Sequence, residues 1–150
     1  IKKLCKELNT QKNEVAILEP EQSYIFWEKT RCLQVFSELK NNLLRIVVPA
    51  SETFEVIDKL KIYDIRYFID WGGSLVWVQI DSVSSKILRN IKEIVNKASG
   101  YLTIVKVEEN LKASVDVFTI DPIKYKISEK IKKSFDPKRI LNPGKMYSGI

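Results

Sequence analysis

Histidine is absent from the 150 residues of this chain, and its absence excludes several chemistries. There is no histidine general base, no Ser-His or Cys-His catalytic pair and no imidazole metal ligand. The two cysteines, Cys5 and Cys32, are too few for a zinc site and are not spaced as a redox CxxC pair. We expect no metal site, two reduced cysteines (or, alternatively, a disulfide), and a buried Cys32 beside Leu33 and Phe36.

Glycine is also scarce, and its five copies form neither a GxGxxG fingerprint nor a P-loop. No segment can therefore wrap its backbone N–H groups around a pyrophosphate, and we expect the chain alone not to hold a dinucleotide tightly. The apolar runs are short, so none predicts a membrane span. The first residue is Ile1 rather than Met, and we expect the chain to be a piece of a longer protein.

Positive charge is in surplus, with 25 Lys+Arg against 19 Asp+Glu and a net charge of +6. Most of the excess lies near the C-terminus, at Lys124, Lys126, Lys130, Lys132, Lys133, Lys138, Arg139 and Lys145. A solvated lysine-rich face explains this pattern. A basic helix and arm that meet nucleic acid, an anionic membrane or an acidic partner are the alternative.

The hydrophobic pattern from Leu43 to Val107 predicts an α+β fold. The predicted order is strand, helix, strand, strand, helix, strand, with strands at 43–48, 67–71, 75–80 and 101–107 and helices at 51–60 and 84–98. This is the split βαβ order of a ferredoxin-like antiparallel sheet with helices mainly on one face. Outside this region we predict short strands at 14–18 and 115–120, a helix opened by Pro20, and a last helix from Asp121-Pro122 to Phe135.

Particular positions within this pattern carry further expectations. Gly72-Gly73 predicts a tight hairpin turn, Ser51 a helix N-cap, and Gly100 a helix C-terminal cap. Trp71 and Trp77 are expected to pack in the core, with contact to a flat ligand or a second domain as the alternative. Five aspartates near strand ends are expected to be solvated or capping rather than catalytic, namely Asp64, Asp70, Asp81, Asp116 and Asp121.

The run from Phe135 to Tyr147, FDPKRILNPGKMY, is the most distinctive stretch of the chain. It holds apolar residues between two proline turns, and so predicts an ordered docking arm rather than a frayed terminus. This run resembles the C-terminal signature of FAD-linked oxidases of the vanillyl-alcohol oxidase superfamily. Four further segments stand in the order seen in the family of FAD-binding subunits of bacterial glycolate oxidase: 26–31 (FWEKTR), 43–49 (LLRIVVP), 69–73 (IDWGG) and 100–104 (GYLTI).

The resemblance implies a cap domain over residues 1–135 and an arm over 136–150 that returns toward an N-terminal FAD-binding domain. That domain is absent from this chain and would hold most of the FAD. Asn142, Gly144, Lys145 and Tyr147 would contact the flavin or the adjoining domain. Lys145 would place positive charge near a reduced flavin or a phosphate.

The resemblance also implies partners and a reaction. In the family, this subunit works with a second flavin subunit and an iron–sulfur subunit to oxidise glycolate to glyoxylate, and the electrons pass toward the respiratory chain. A cytoplasmic location follows, with the membrane reached only through partner subunits and with no nucleic-acid partner. Tyr101-Leu102 stands where the family often has a histidine, so we assign no catalytic residues. An accessory role fits the sequence as well as a catalytic role does. We expect the isolated chain to be inactive.

The residues alone are also compatible with two other functions. One is a ferredoxin-like module that binds RNA or a protein on its sheet, although no Lys or Arg precedes the glycine of the Gly73–Ile80 strand as an RNA-binding signature requires. The other is a non-catalytic assembly remnant of the same subunit. Binding to generic RNA would support the first alternative, whereas association with a flavin-containing partner would support the oxidase function.

Overall fold

The computed structural model describes residues 17–36, 42–112, 115–119, 121–145 and 147, which fall in two compact units, residues 1–37 and 38–150. The described part of the first unit contains helix α1 (Pro20–Arg31), which begins at the predicted proline. Cys32 is exposed, so its predicted burial is wrong: α1 ends one residue earlier, and Cys32 lies in the turn that follows. Cys5 lies outside the described residues. So does most of the predicted strand 14–18, and the two residues of that strand that are described, Ile17 and Leu18, are not in a strand.

The second unit has the predicted strand and helix order, which confirms the α+β class. Its elements are β1 (Asn42–Val47), α2 (Thr53–Leu60), β2 (Ile65–Asp70), β3 (Leu75–Ile80), α3 (Ser85–Lys97), β4 (Tyr101–Lys106), α4 (Glu109–Lys112) and α5 (Pro122–Phe135). The strands form one antiparallel sheet in the order β2-β3-β1-β4. The ferredoxin-like assignment within the α+β class stays a prediction.

The core lies between one face of the sheet and the helices α2 and α3. Side chains alternate between the two faces of a strand, and the apolar stripe of α3 faces the sheet. The buried cluster consists of Leu44, Ile46, Val76, Val78, Ile80, Leu102 and Ile104 from the strands, with Val56, Ile57, Leu60, Leu88, Ile91 and Val95 from the helices. At its N-terminus, α3 is capped by Ser84, which accepts a hydrogen bond from the Ile87 N–H at 3.3 Å.

The end of α3 corrects the expected role of Gly100. The left-handed position belongs to Ser99, at φ 54°, whose N–H bonds to the Asn96 carbonyl at 2.9 Å. The Gly100 N–H then bonds to the Val95 carbonyl at 2.9 Å, which completes a Schellman motif. Glycine is needed at position 100 for space, because a Cβ there would lie 2.3 Å from Cγ1 of Val48.

The structure differs from the expectations for Ser51, Trp71 and Trp77. Ser51 does not cap α2: Glu52 occupies the N-cap position, and the Ser51 hydroxyl donates to the Glu52 carboxylate at 3.5 Å. Trp71 is not in the core but 59% exposed in the turn before β3, and Trp77 is half-buried on the face of the sheet opposite α2 and α3. The tight turn is confirmed, with positive φ at Gly72 and Gly73.

Beyond β4 the sheet is extended by a single bridge. Phe118 pairs with Thr103, with backbone hydrogen bonds from Ile104 to Val117 and from Thr119 to Leu102. The predicted strand 115–120 is therefore reduced to one bridge among its described residues. A half-buried lysine holds this segment to α3, since Lys92 Nζ donates to the Asp116 carbonyl at 2.8 Å. Burial lowers the pKa of Lys92, and the nearby Asp116 charge opposes this effect.

Helix α5 is formed as predicted, but its apolar stripe is exposed. Asp121 caps the helix by accepting from the N–H groups of Ile123 and Lys124 at 2.8 and 2.9 Å. The stripe consists of Ile123, Ile127, Ile131 and Phe135, with exposed fractions from 53% to 85%. Tyr125, Ser128 and Lys132, on another side of the helix, are half-buried.

Candidate functional site

The arm that follows α5 is fixed to the helix by one carboxylate, Asp136. Its Oδ1 accepts from the Ile140 N–H at 3.0 Å and its Oδ2 from the Leu141 N–H at 2.9 Å. Lys132, one helical turn earlier, places Nζ 2.8 Å from Oδ2. Asp136 is 7% exposed, so the aspartate of the FDP run is a structural anchor that folds residues 137–141 back over the end of α5.

This anchor makes the arm sensitive to acid. The hydrogen bond from Lys132, followed by those from the Ile140 and Leu141 N–H groups, lowers the pKa of Asp136 from 3.8 to about 2. Because its pKa is lowered in the folded arm, Asp136 stabilises that fold fully when the pH is above the ordinary pKa of an aspartate. This contribution is lost as the pH falls from about 4 to about 2.

We therefore expect acid, or the substitution Asp136→Asn, to loosen the arm. Hydrogen exchange at the Ile140 and Leu141 amides, corrected for intrinsic rates, measures this. Because a charge-assisted network is lost, protection at pH 6 should fall by about tenfold in the Asp136→Asn variant. The matched change Asp58→Asn, at an exposed carboxylate paired with Lys61, should leave both amides protected. Equal protection in the Asp136→Asn variant would contradict the anchoring role.

The predicted residues Asn142, Gly144 and Lys145 lie in the next turn of the arm. Asn142 and Gly144 both have positive φ, at 46° and 66°, and the Lys145 N–H bonds to the Asn142 carbonyl at 3.3 Å. Asparagine and glycine are the residues that adopt this conformation most readily, which explains the Asn-Pro-Gly run. No heavy atom lies within 4 Å of the position that a Gly144 Cβ would occupy, so the backbone there is open to a ligand or a second protein surface.

Gly144 and Lys145 line a cavity at the base of the arm. It has a volume of about 800 Å³ and lies among the arm, the end of β4, α4 and the segment at Val115 and Val117. Its lining carries both signs of charge, from Lys106, Lys112, Lys145, Glu108 and Glu109. Lys112 and Glu109 form an ion pair with each other. Lys145 therefore lines a cavity of mixed charge.

Tyr147 is placed elsewhere. Its ring lies 6.0 Å from that of Phe118 and 6.1 Å from that of Tyr125, and it lines a smaller cavity of about 360 Å³ with Tyr101, Lys124 and others. Asn142 lines neither cavity. The four predicted residues therefore do not converge on one point: Gly144 and Lys145 face one cavity, and Tyr147 packs into an aromatic cluster beside another.

Three of the five aspartates that were expected to be solvated or capping have structural contacts of this kind. Asp70 accepts from the Trp71 N–H at 2.7 Å, Asp121 caps α5, and Asp81 pairs with Arg66 at 3.1 Å. Among the described residues, no three His, Cys, Asp or Glu side chains are grouped to hold a metal ion. In the same part of the chain, no helix is long and apolar enough to cross a membrane.

The distinctive arm and α5 coincide with a match to a known class. Residues 117–146 match the family described as FAD linked oxidases, C-terminal domain. The chain is also similar to glycolate oxidase subunit GlcE of Escherichia coli (strain K12), at 27% identity over 126 residues, or 83% of this chain and 32% of that protein. The resemblance to an FAD-linked oxidase C-terminal domain of the GlcE type is therefore confirmed. The chain spans about a third of its curated relative, and no solved structure matches it.

Proposed function

We propose that the chain is the cap domain (1–135) and arm (136–150) of an FAD-linked oxidoreductase subunit that takes part in oxidising glycolate to glyoxylate. The observation that carries this proposal is the match over residues 117–146, because it covers α5, the Asp136 anchor and the Asn-Pro-Gly-Lys turn as one unit. The matched segment is about a third of the relative's length. The remaining length leaves room for a separate FAD-binding domain, and the chain alone is expected to be inactive.

The arm fits a partial contact with FAD, not a complete binding site. FAD supplies the group that accepts electrons from the substrate. Gly144 has an open backbone, and Lys145 beside it lines the same cavity. These two residues suit contact with a phosphate or an electron-rich edge of a flavin held by another domain. Asn142 shapes the turn that presents them, and Tyr147 fixes the arm beyond it through its aromatic contacts.

The exposed stripe of α5 provides a surface for docking to the FAD-binding domain. Four large apolar side chains at successive turns of a helix are seldom left in water, and such a patch commonly marks an interface. The stripe adjoins the arm, where Ile140 and Leu141 are also more than 60% exposed. We propose that another domain of the same polypeptide covers the exposed apolar side chains of both the helix and the arm.

The wider assembly is the part of the proposal that rests most on the relative. We propose a second flavin subunit and an iron–sulfur subunit as partners, a cytoplasmic location, and contact with the membrane only through those partners. The electrons would pass through the partners to a respiratory acceptor. Catalytic residues are not assigned to this chain.

The test is to purify the polypeptide that carries this sequence from its source cells with an antibody against the chain. We expect a polypeptide longer than 17.4 kDa that holds an equimolar amount of FAD and reduces a dye when glycolate is added. The isolated 150-residue chain should lose its flavin absorbance during gel filtration, because it has no pyrophosphate-binding loop. A native polypeptide of 17.4 kDa that associates with no flavoprotein would contradict the proposal and favour an assembly remnant.

A further inference from the structure

A row of three lysines runs along α5 beside its exposed apolar stripe. Lys126, Lys130 and Lys133 recur at i, i+4 and i+7, so they share one side of the helix. This side lies next to Ile127 and Ile131, which follow the first two lysines in the chain. All three lysines are exposed. The lysine row therefore forms one border of the stripe.

The lysine row has no counter-charge among the described residues of its own chain. No hydrogen bond or ion pair joins any of the three lysines to another described side chain. The carboxylates of α5 and its two ends are engaged elsewhere: Asp121 caps the helix, Asp136 anchors the arm, and Glu129 lies 3.9 Å from Arg139. By contrast, three surface lysines outside α5 are each paired with a carboxylate one helical turn away. The positive charge of the lysine row is therefore available to a partner.

An exposed apolar stripe with a charged border has the composition of a protein interface. Such interfaces bury an apolar centre and leave a polar rim in contact with water. Because the three groups of this border share one sign, they favour a partner surface of the opposite sign. Helix α3 gives the contrast: Lys86, Arg89 and Lys97 are also exposed on it, but its apolar stripe is buried against the sheet. Helix α5 combines exposed basic groups with an exposed apolar stripe.

We propose that the domain that covers α5 presents an acidic surface to it, with carboxylates opposite Lys126, Lys130 and Lys133. This inference rests on the proposed function, because it specifies the chemistry of the surface that meets the stripe. A folded domain is favoured over an anionic membrane, since one family match covers α5 and the arm together and the relative has further chain to supply such a domain. The ion pairs lie at the rim, where they align docking and weaken as salt is added.

The test measures docking in the full-length polypeptide as the rate of proteolysis between this chain and the proposed FAD-binding domain. Salt is raised from about 0.01 M to about 1 M, which shortens the electrostatic screening length from about 30 Å to about 3 Å. Three exposed ion pairs together favour docking by about tenfold, so we expect cleavage to be about ten times faster at high salt. The triple variant Lys126→Gln, Lys130→Gln and Lys133→Gln should be cleaved at this faster rate at low salt as well, since glutamine is a good helix former without charge.

The matched control removes three positive charges from α3, through Lys86→Gln, Arg89→Gln and Lys97→Gln. We expect this control to keep the salt dependence of the parent polypeptide. Arginine at the three α5 positions keeps the charge and should also preserve the salt dependence. Cleavage of the parent that is independent of salt, or an equal effect of the α3 control, would overturn the proposal. The first of these outcomes needs no variant, so it holds even if the glutamine variant fails to fold.

Three results separate this inference from the proposed function. If the double variant Ile123→Ala and Ile131→Ala weakens docking while salt and the glutamine variant have no effect, the apolar contact is supported and the acidic surface is wrong. If docking depends on salt and on the lysines but the polypeptide contains no FAD, the acidic surface is supported and the proposed function is wrong. If docking is independent of salt and the 150-residue chain binds phosphatidylserine vesicles through these lysines, the partner is a membrane and the proposal is overturned.

Discussion

The substitution Gly100→Ala should lower the free energy of unfolding of this chain by about 1–3 kcal/mol, the usual cost of overpacking a well-packed core. A Cβ at this position would lie 2.3 Å from Val48 Cγ1, 2.8 Å from the Val47 carbonyl oxygen and 2.9 Å from Val95 Cγ1. Two of these contacts are with β1 and the residue that follows it, and one is with α3, so relief requires the helix to move away from the sheet. Urea denaturation followed by circular dichroism measures the change.

The neighbouring Ser99 provides the control. Ser99 has a φ of 54° and is exposed, so Ser99→Gly relieves a left-handed strain and adds no atom. We expect Ser99→Gly to be neutral or to stabilise the chain by up to about 1 kcal/mol. If Gly100→Ala were neutral as well, β1 and α3 would be less closely packed than the structure shows. If Ser99→Gly destabilised strongly, the Schellman motif would not explain the end of α3.

Gly100 and Ser99 show what the sequence pattern predicts and what it does not. The apolar spacing of α3 predicts the helix, and Gly100 signals its end. However, the pattern does not distinguish a glycine needed for its φ from one needed for space. The second case depends on the distance between α3 and β1, which is set by tertiary packing. The same holds for Trp71: its aromatic character favours the core, but the turn geometry places it in solvent.

The candidate site was predictable in part for a similar reason. The Asn-Pro-Gly-Lys turn could be located because its residue types have strong local preferences. The role of Asp136 was missed, since Asp136-Pro137 indicates only a helix end, and its contacts to Ile140 and Leu141 depend on how the arm folds back.

If the proposed FAD-binding domain docks on α5, the double substitution Ile123→Glu and Ile131→Glu should separate the two in the full-length polypeptide. Both side chains are more than half exposed in this chain, so we expect the chain itself to keep its stability. In the assembled protein each would be buried, at about 1.5–3 kcal/mol per side chain. Losing both contacts should weaken docking by at least about a hundredfold. FAD release during gel filtration and faster proteolysis between the two domains measure this effect.

The substitution Ile62→Glu tests whether these effects are specific to the stripe. Ile62 is 76% exposed and lies in the turn after α2, outside α5 and the arm, so it introduces the same charge at an equally exposed isoleucine. We expect Ile62→Glu to leave FAD retention and proteolysis unchanged. Glutamate is a good helix former, and at position 123 it lies in the first turn of α5, where negative charge is favourable. A loss of helix content would therefore not explain the result. Full FAD retention in the α5 double variant would show that the domain is docked through another surface.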